Sequence, residues 1–195
     1  KKEMICAGIL AGGKSSRMGQ NKAYLPVAQQ TFLEHTVSVC SDFPQVLVSV
    51  DTVDRYAKLS YSFVLDEQKE FGPLEGIYQL LRASKYPYVL ALATDMPALR
   101  KEFLSAFVEQ IQDDTECLVA TVKGKPQPLC AVYAKSVLPV LEQMRAEGNH
   151  RPRGLFEQVK TKYVELSDIG FSESVVQNIN TPEEFAAWEK DGRNS

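Results

Sequence analysis

Apolar residues along this chain gather into short unbroken runs, and the segments between several of them carry helical periodicity. Met4 to Leu10 is apolar throughout and leads into a pair of glycines, the pattern of a central parallel strand buried on both faces. Val46 to Val50 and Phe63 to Leu65 are the next two runs, and each ends on a carboxylate, Asp51 and Asp66. Tyr88 to Ala93 is the fourth, opening onto Thr94-Asp95-Met96-Pro97. After the first run a polar loop continues through Pro26. Thr31, with Glu34 three residues later, then predicts a capping box and a helix to about Cys40. Gly72-Pro73-Leu74-Glu75-Gly76 opens a helix to about Ala83, with Leu74, Ile77, Leu80 and Leu81 facing the sheet.

The second half alternates in the same way. A helix is predicted from about Arg100 to Gln110, a strand over Cys117 to Val122, a turn at Lys123-Gly124-Lys125, a strand over Leu129 to Tyr133 and a helix from Ser136 to Glu147. The hairpin makes the sheet mixed. His150-Arg151-Pro152-Arg153-Gly154 reads as a basic loop before a short helix, Leu155 to Val159, and a strand, Tyr163 to Leu166. Thr181-Pro182-Glu183-Glu184 starts a final helix with a threonine cap and proline in first position. The pattern predicts an α/β, three-layer Rossmann-like fold with a mostly parallel, mixed central sheet in a single domain over residues 1–195. Ligands of such sheets sit at the C-terminal ends of the strands.

Composition narrows the classes. A hydrophobic content of 44% in 195 residues is enough for a substantial core, and a net charge of -3 argues against a general binder of nucleic acid or anionic membrane. Cys6, Cys40, Cys117 and Cys130 show no C-x-x-C spacing, and Cys6 and Cys117 lie in apolar strand runs. They read as buried free thiols, which suits a reducing cytoplasm. Two histidines, neither near a cysteine cluster, make no case for zinc, and His35 reads as a structural residue of its helix. No run approaches membrane-spanning length, so a cytoplasmic location is expected.

The densest chemistry lies just after the first strand, in Leu10-Ala11-Gly12-Gly13-Lys14-Ser15-Ser16-Arg17-Met18-Gly19-Gln20-Asn21-Lys22. Paired glycines let the backbone approach an anion closely, and Lys14, Arg17 and Lys22 follow. Gly8, Gly13, Lys14 and Ser15 formally satisfy the P-loop pattern G-x-x-x-x-G-K-[ST]. That parse fails on context: Gly8 falls inside the apolar run, and Gly19 and Pro26 would break the long helix a P-loop needs after its lysine. The better parse is Leu-Ala-Gly-Gly-x-x-x-Arg-Met-Gly-x-x-Lys. In it the Gly12 and Gly13 amides line a triphosphate, and Arg17 and Lys22 return to the phosphates. Spread positive charge around an α-phosphate and a departing pyrophosphate is what nucleotidyl transfer requires; no side-chain nucleophile is needed.

Other candidates gain weight from that loop. Asp95 alone is equally a helix N-cap or a magnesium ligand; beside a phosphate loop the metal role is favoured. Asp66 alone reads as a solvated strand-end carboxylate, yet it could accept the N1–H and N2 amino donors of guanine, a pair adenine lacks. His150, Arg151 and Arg153 suit a second anionic substrate, and Gln127, Asn178 and Asn180 could bond a polar ring. Surface arginines are ordinary, and Asn180 equally suits the turn before the Thr181 cap.

Taken in order, these motifs resemble the molybdenum cofactor guanylyltransferases, the molybdopterin-guanine dinucleotide synthases. The resemblance spans nearly the whole chain and rests on Leu10 to Lys22, Gly72-Pro73-Leu74-Glu75-Gly76-Ile77, Thr94-Asp95-Met96-Pro97, Gln127-Pro128-Leu129-Cys130-Ala131-Val132-Tyr133 and Asn178-Ile179-Asn180-Thr181-Pro182-Glu183. The first and third motifs are shared with other nucleotidyltransferases and carry the reaction class; the last two carry the substrate. The resemblance implies transfer of GMP from Mg-GTP to the terminal phosphate of molybdenum-bound molybdopterin, with release of pyrophosphate. It would place Leu10, Ala11, Gly12, Gly13, Lys22, Asp66 and Asp95 on GTP, Mg²⁺ on Asp95, and catalytic roles on Arg17, Lys22 and Asp95. The acceptor would fall to Gln127, Arg151, Arg153, Asn178 and Asn180. Residues to about 100 would then bind nucleotide and those from about 101 to 195 would complete the acceptor site. Partners implied are proteins that deliver molybdopterin and proteins that accept the finished cofactor. Where the family has an asparagine after the second strand, this chain has Ser49-Val50-Asp51, and that nucleotide contact stays open. A CTP-using or sugar-phosphate nucleotidyltransferase, a P-loop ATPase or kinase, and a non-catalytic nucleotide-binding domain are the rival readings.

Overall fold

A computed structural model describes residues 1–11, 24–52, 59–179 and 181–192. Strand β1 (Ile5–Leu10) is followed by helix α1 (Tyr24–Val39), β2 (Gln45–Val50), β3 (Phe63–Leu65), α2 (Pro73–Ala83), β4 (Tyr88–Ala93) and α3 (Lys101–Val108). The second half supplies β5 (Cys117–Val122), β6 (Lys125–Ala134), α4 (Leu138–Glu147), α5 (Pro152–Phe156), β7 (Thr161–Glu165) and α6 (Pro182–Gly192). One 7-stranded sheet runs in the order β3-β2-β1-β4-β6-β5-β7. Every neighbouring pair is parallel except the two that involve β6, which runs against β4 and β5. The predicted mixed, mostly parallel α/β sheet is therefore present.

The three layers follow from strand alternation. On one face Ile5, Ala7, Leu90, Leu92, Leu118 and Val132 pack with Phe103, Leu104 and Phe107 of α3 and with Val39 at the end of α1. On the other, Cys6, Val89, Ala91, Val119 and Tyr133 pack against α2, α4 and α5 through Leu74, Leu80, Leu141 and Leu155. All four cysteines are free and buried. Burial raises the Cys6 thiol to about 11 and the Cys40 thiol to about 12, so both stay protonated at neutral pH. No helix among the described residues is long and apolar enough to cross a membrane.

Several boundaries differ from the sequence reading. Helix α1 opens at Tyr24, so Thr31 and Glu34 lie in its interior rather than at its start, where a capping box would be. Pro26 is its third residue, where a missing N–H breaks no helical bond. Strand β6 begins at Lys125 and carries Pro126 and Pro128, because its pairing with β5 jumps from Val119↔Ala131 to Ala120↔Gln127. A bulge at that jump takes Pro128 out of the β5 ladder. The turn itself is the two residues Lys123 and Gly124, both at positive φ, as a tight hairpin requires. Glu165 ties down its tip, accepting from Lys123 N at 2.7 Å, Gly124 N at 2.8 Å and Thr121 Oγ1 at 2.8 Å. Arg151, read as loop, is the N-cap of α5, and Pro152 occupies its first position; the helix ends at Phe156, before the predicted Val159. The Thr181 cap is in place, its hydroxyl accepting from Glu184 N at 3.1 Å.

Candidate functional site

The strand order makes β1 the centre of the parallel half: the chain passes to β2 and β3 on one side and returns to β4 on the other. Ligands of open α/β sheets bind outside the carboxyl ends at such a switch point. Leu10 closes β1 level with Ser49 of β2 and Ala93 of β4, and Val50 is level with Leu65 of β3. The register therefore continues into a row of Leu65, Val50, Ala11 and Thr94, with Asp66, Asp51 and Asp95 each one residue further on. Adjacent strands are about 4.8 Å apart, so β3 and β4 stand roughly 14 Å apart across this edge.

Gly8 stands inside β1, paired with Leu47 and Ala91. A Cβ there would lie 2.8 Å from Leu80 Cδ1 and 2.8 Å from Val89 Cγ1, so its role is to let α2 seat on the sheet. That removes it from any phosphate loop and leaves Leu10 and Ala11 at the strand end. Ala11 N–H donates to Ser49 O at 2.9 Å. Gly12, Gly13, Lys14, Arg17 and Lys22, which hold the rest of the loop assignment, lie outside the described residues, as does Asn180.

Asp66 is tied at several points. Its N–H donates to Val50 O at 2.9 Å, and its Oδ1 accepts from Ser49 Oγ at 2.8 Å. The peptides that follow it, Glu67 N and Gln68 N, both donate to Glu75 Oε2 at 2.8 Å. Burial raises the Asp66 carboxyl above its ordinary value, the charges of Glu75 and Asp51 push the same way, and the Ser49 hydrogen bond and Lys69 oppose them. Helix α2 comes this close because residue 76 is glycine: a Cβ there would lie 2.8 Å from both Leu10 Cδ2 and Ser49 Oγ.

Glu75 is 0% exposed and makes an ion pair with Arg145 of α4, 15% exposed, Nε to Oε1 at 2.9 Å and Nη2 to Oε2 at 3.1 Å. Gln79 Nε2 adds a bond to Oε2 at 3.0 Å. Burial acts to raise the Glu75 carboxyl, but these donors outweigh it and hold the group below its ordinary value. The Arg145 guanidinium stacks over Tyr78, 4.6 Å from the ring centre, and reaches Glu67 Oε2 at 3.7 Å. Ser49, Glu75 and Arg145 were not picked out as site residues from sequence. Only the Gly-Pro-Leu-Glu-Gly motif hinted at one of them, and nothing in a linear chain pairs position 75 with position 145.

Asp95 follows β4 and is half-buried. Its main-chain carbonyl accepts from Ile179 N at 2.8 Å, which brings the 177–179 segment and exposed Asn178 against the metal-loop candidate. Ile179 packs with Phe32 of α1 and Phe185 of α6, anchoring that segment from behind. Half-buried Gln127 sits on the β6 bulge, on the same edge, with its Nε2 donating to Lys125 O at 3.1 Å. Arg151 and Arg153 lie at the start of α5, on the α2–α4–α5 side. Arg153, 86% exposed, stands 4.0 Å from Glu157. His35 is a structural residue, Nε2 2.9 Å from Leu99 O.

Among the described residues no group of three or more His, Cys, Asp or Glu could cage a metal ion. Asp95 alone is a single strand-end carboxylate, the type of donor that could hold Mg²⁺ together with substrate phosphates and water.

With this geometry in hand, the comparisons are specific. The family described as MobA-like NTP transferase domain matches residues 7–163. The chain is 34% identical over 184 residues to a Carboxydothermus hydrogenoformans protein named "Probable molybdenum cofactor guanylyltransferase", covering 93% of each chain. It is 32% identical over 184 residues to the molybdenum cofactor guanylyltransferase of Vibrio parahaemolyticus, covering 92% of each. The crystal structure of molybdopterin-guanine dinucleotide biosynthesis protein A from Archaeoglobus fulgidus superposes with a TM-score of 0.79 at 23% identity, covering 97% of this chain and 100% of that one, a likeness of fold.

Proposed function

Because the chain belongs to the MobA-like NTP transferase domain family and is a nucleotidyltransferase, we propose that it transfers GMP from GTP to the terminal phosphate of molybdenum-bound molybdopterin. The observation that carries the reading is the single row of strand ends, with Asp66 at the β3 end and Asp95 at the β4 end of the switch-point edge. A nucleotide laid along it puts its base at Asp66 and its triphosphate over β1 and β4.

In this reading Asp66 accepts the guanine N1–H and N2 amino hydrogens. The Leu10 and Ala11 backbone leads the chain to the phosphates, which the amides of Gly12 and Gly13 receive. Arg17 and Lys22 spread positive charge over the α-phosphate and the leaving pyrophosphate. A terminal phosphate oxygen of the acceptor forms the new bond to the α-phosphorus. The bond from that phosphorus to the bridging oxygen breaks, and the electron pair leaves with pyrophosphate. Asp95 is the residue that would hold Mg²⁺, which when bound supplies charge neutralisation to the triphosphate. Gln127, Arg151, Arg153, Asn178 and Asn180 hold the acceptor; the Ile179 tie to Asp95 supports this for Asn178. Proteins that deliver molybdopterin and accept the dinucleotide cofactor are the expected partners, and the buried thiols suit a cytoplasmic enzyme.

The test is to incubate the protein with α-labelled GTP, Mg²⁺ and molybdenum-loaded molybdopterin. Pyrophosphate release that depends on the acceptor, with label in the dinucleotide, is the expected result. Release of nucleoside diphosphate and phosphate without acceptor would mean a hydrolase, and labelled product from CTP in place of GTP would move the assignment to a cytidylyl transfer.

A further inference from the structure

Base recognition by a single carboxylate demands that the carboxylate point in one direction, and Asp66 is short of rigid support from its own strand. Strand β3 is three residues long, Phe63–Leu65, and forms one edge of the sheet. Beyond the Ser49 and Val50 bonds from β2, the support for the chain leaving Asp66 comes from helix α2. Glu75 accepts both peptide N–H groups that follow Asp66, at 2.8 Å each, and so fixes the direction in which the chain leaves Asp66. Glu75 is in turn oriented by the two-point bond from Arg145, on the last turn of a helix that belongs to the other half of the chain. A planar guanidinium gripping both oxygens fixes rotation of the carboxylate as well as its position.

We propose that the Glu75–Arg145 ion pair is a positioning device for base discrimination: it sets the aim of Asp66, and neither residue touches the nucleotide. The inference rests on the reading of Asp66 as the guanine acceptor. A charge pair used only to hold helices α2 and α4 together would have no reason to spend its acceptor capacity on the peptides of a neighbouring loop. A buried pair of this kind is also a weak source of net stability, since desolvation offsets much of the attraction.

Inosine triphosphate keeps the N1–H and lacks the N2 amino group, so the ratio of its dissociation constant to that of GTP reads the aim of Asp66. Two hydrogen bonds to a charged acceptor against one predicts a wild-type ratio of roughly tenfold to a hundredfold. Both constants are measured by calorimetry with Mg²⁺ present, for wild type, Glu75→Gln, Arg145→Lys and Asp66→Asn, each checked for cooperative unfolding. The expectation is that Glu75→Gln lowers the ratio by roughly tenfold, through weaker GTP binding with ITP nearly unchanged. Arg145→Lys keeps the charge, loses the two-point grip and lowers it by roughly threefold; it carries the test alone if Glu75→Gln does not fold. A purely structural pair would weaken both nucleotides alike and leave the ratio in place. If Asp66→Asn collapses the ratio while both pair variants keep it, the positioning role is overturned and the guanine reading stands. If Asp66→Asn itself keeps the ratio, the guanine reading falls and takes the inference with it.

Discussion

Asp66 and Asp95 close the same sheet edge, and different parts of the chain tie them down. Asp66 is held through its side chain by Ser49 and through its following peptides by Glu75. At Asp95 the bond to the neighbouring segment is made by the main-chain carbonyl, through Ile179 N–H. A group that reads a base needs its direction set by the protein. A group that ligates Mg²⁺ needs its position set, because substrate phosphates and water complete the shell. The chain segments recruited differ in the same sense: Asp66 is buttressed from α2 and α4, and Asp95 from the C-terminal segment that leads into α6.

The two carboxylates should then respond differently to loss of charge. The largest effect is expected at Asp95. Asp95→Asn should lower kcat for pyrophosphate release by roughly 10²–10³, with unfolding stability within about 0.5 kcal/mol of wild type. An equal fall in kcat for Asp66→Asn would erase the distinction. A smaller effect is expected from disturbing the Asp66 anchor from behind. Gly76→Ala places a methyl 2.8 Å from Ser49 Oγ and Leu10 Cδ2, both side-chain atoms that must shift. A loss of about 1–3 kcal/mol in a denaturant titration is expected, together with weaker GTP binding as Ser49 leaves Asp66. Undiminished GTP affinity in a destabilised Gly76→Ala protein would show that the Ser49 contact does not aim the carboxylate.

Much of this edge was legible in the sequence, for a physical reason. Strands buried in the sheet read as apolar runs, so β1, β2 and β4 stand out without any knowledge of the fold, and the short edge strand β3 is legible as Phe63-Val64-Leu65 before Asp66. Gly8 could be rejected as a phosphate-loop glycine because it interrupts nothing in such a run, and its contacts with Leu80 and Val89 give the reason. What escaped was of two kinds. Local signals misled where tertiary packing won: Thr31 and Glu34 mimic a helix start inside α1, and the strand read as starting at Leu129 starts at Lys125, with a bulge along it. Contacts across sequence had no signal at all. Ser49 is one hydroxyl in an apolar strand, and the Glu75–Arg145 pair exists only because α4 returns to lie beside α2.

The smallest expected effect concerns protons, and it separates Asp66 from its own buttress. A carboxylate whose pKa is raised by folding binds its proton more tightly in the native state. Its favourable contribution is complete below the ordinary value of 3.8 and disappears as pH rises through the folded value. At neutral pH wild-type Asp66 is therefore a source of instability. Asp66→Asn removes the charge but keeps an oxygen for Ser49, so its Tm at pH 7 should exceed wild type by about 2 °C. The gain should shrink as pH falls toward 3.8. Glu75 has the reverse sign: its pKa is lowered, so its contribution is present above the ordinary value of 4.5 and is lost as pH falls through the folded value. Glu75→Gln should then be less stable than wild type at neutral pH, and that deficit should also close in acid. Thermal melts of the three proteins from neutral to acidic pH would show the two variants converging on wild type from opposite sides. A destabilised Asp66→Asn at pH 7 would mean that the Asp66 carboxylate is held in a favourable setting, and the opposition in sign to Glu75 would fail.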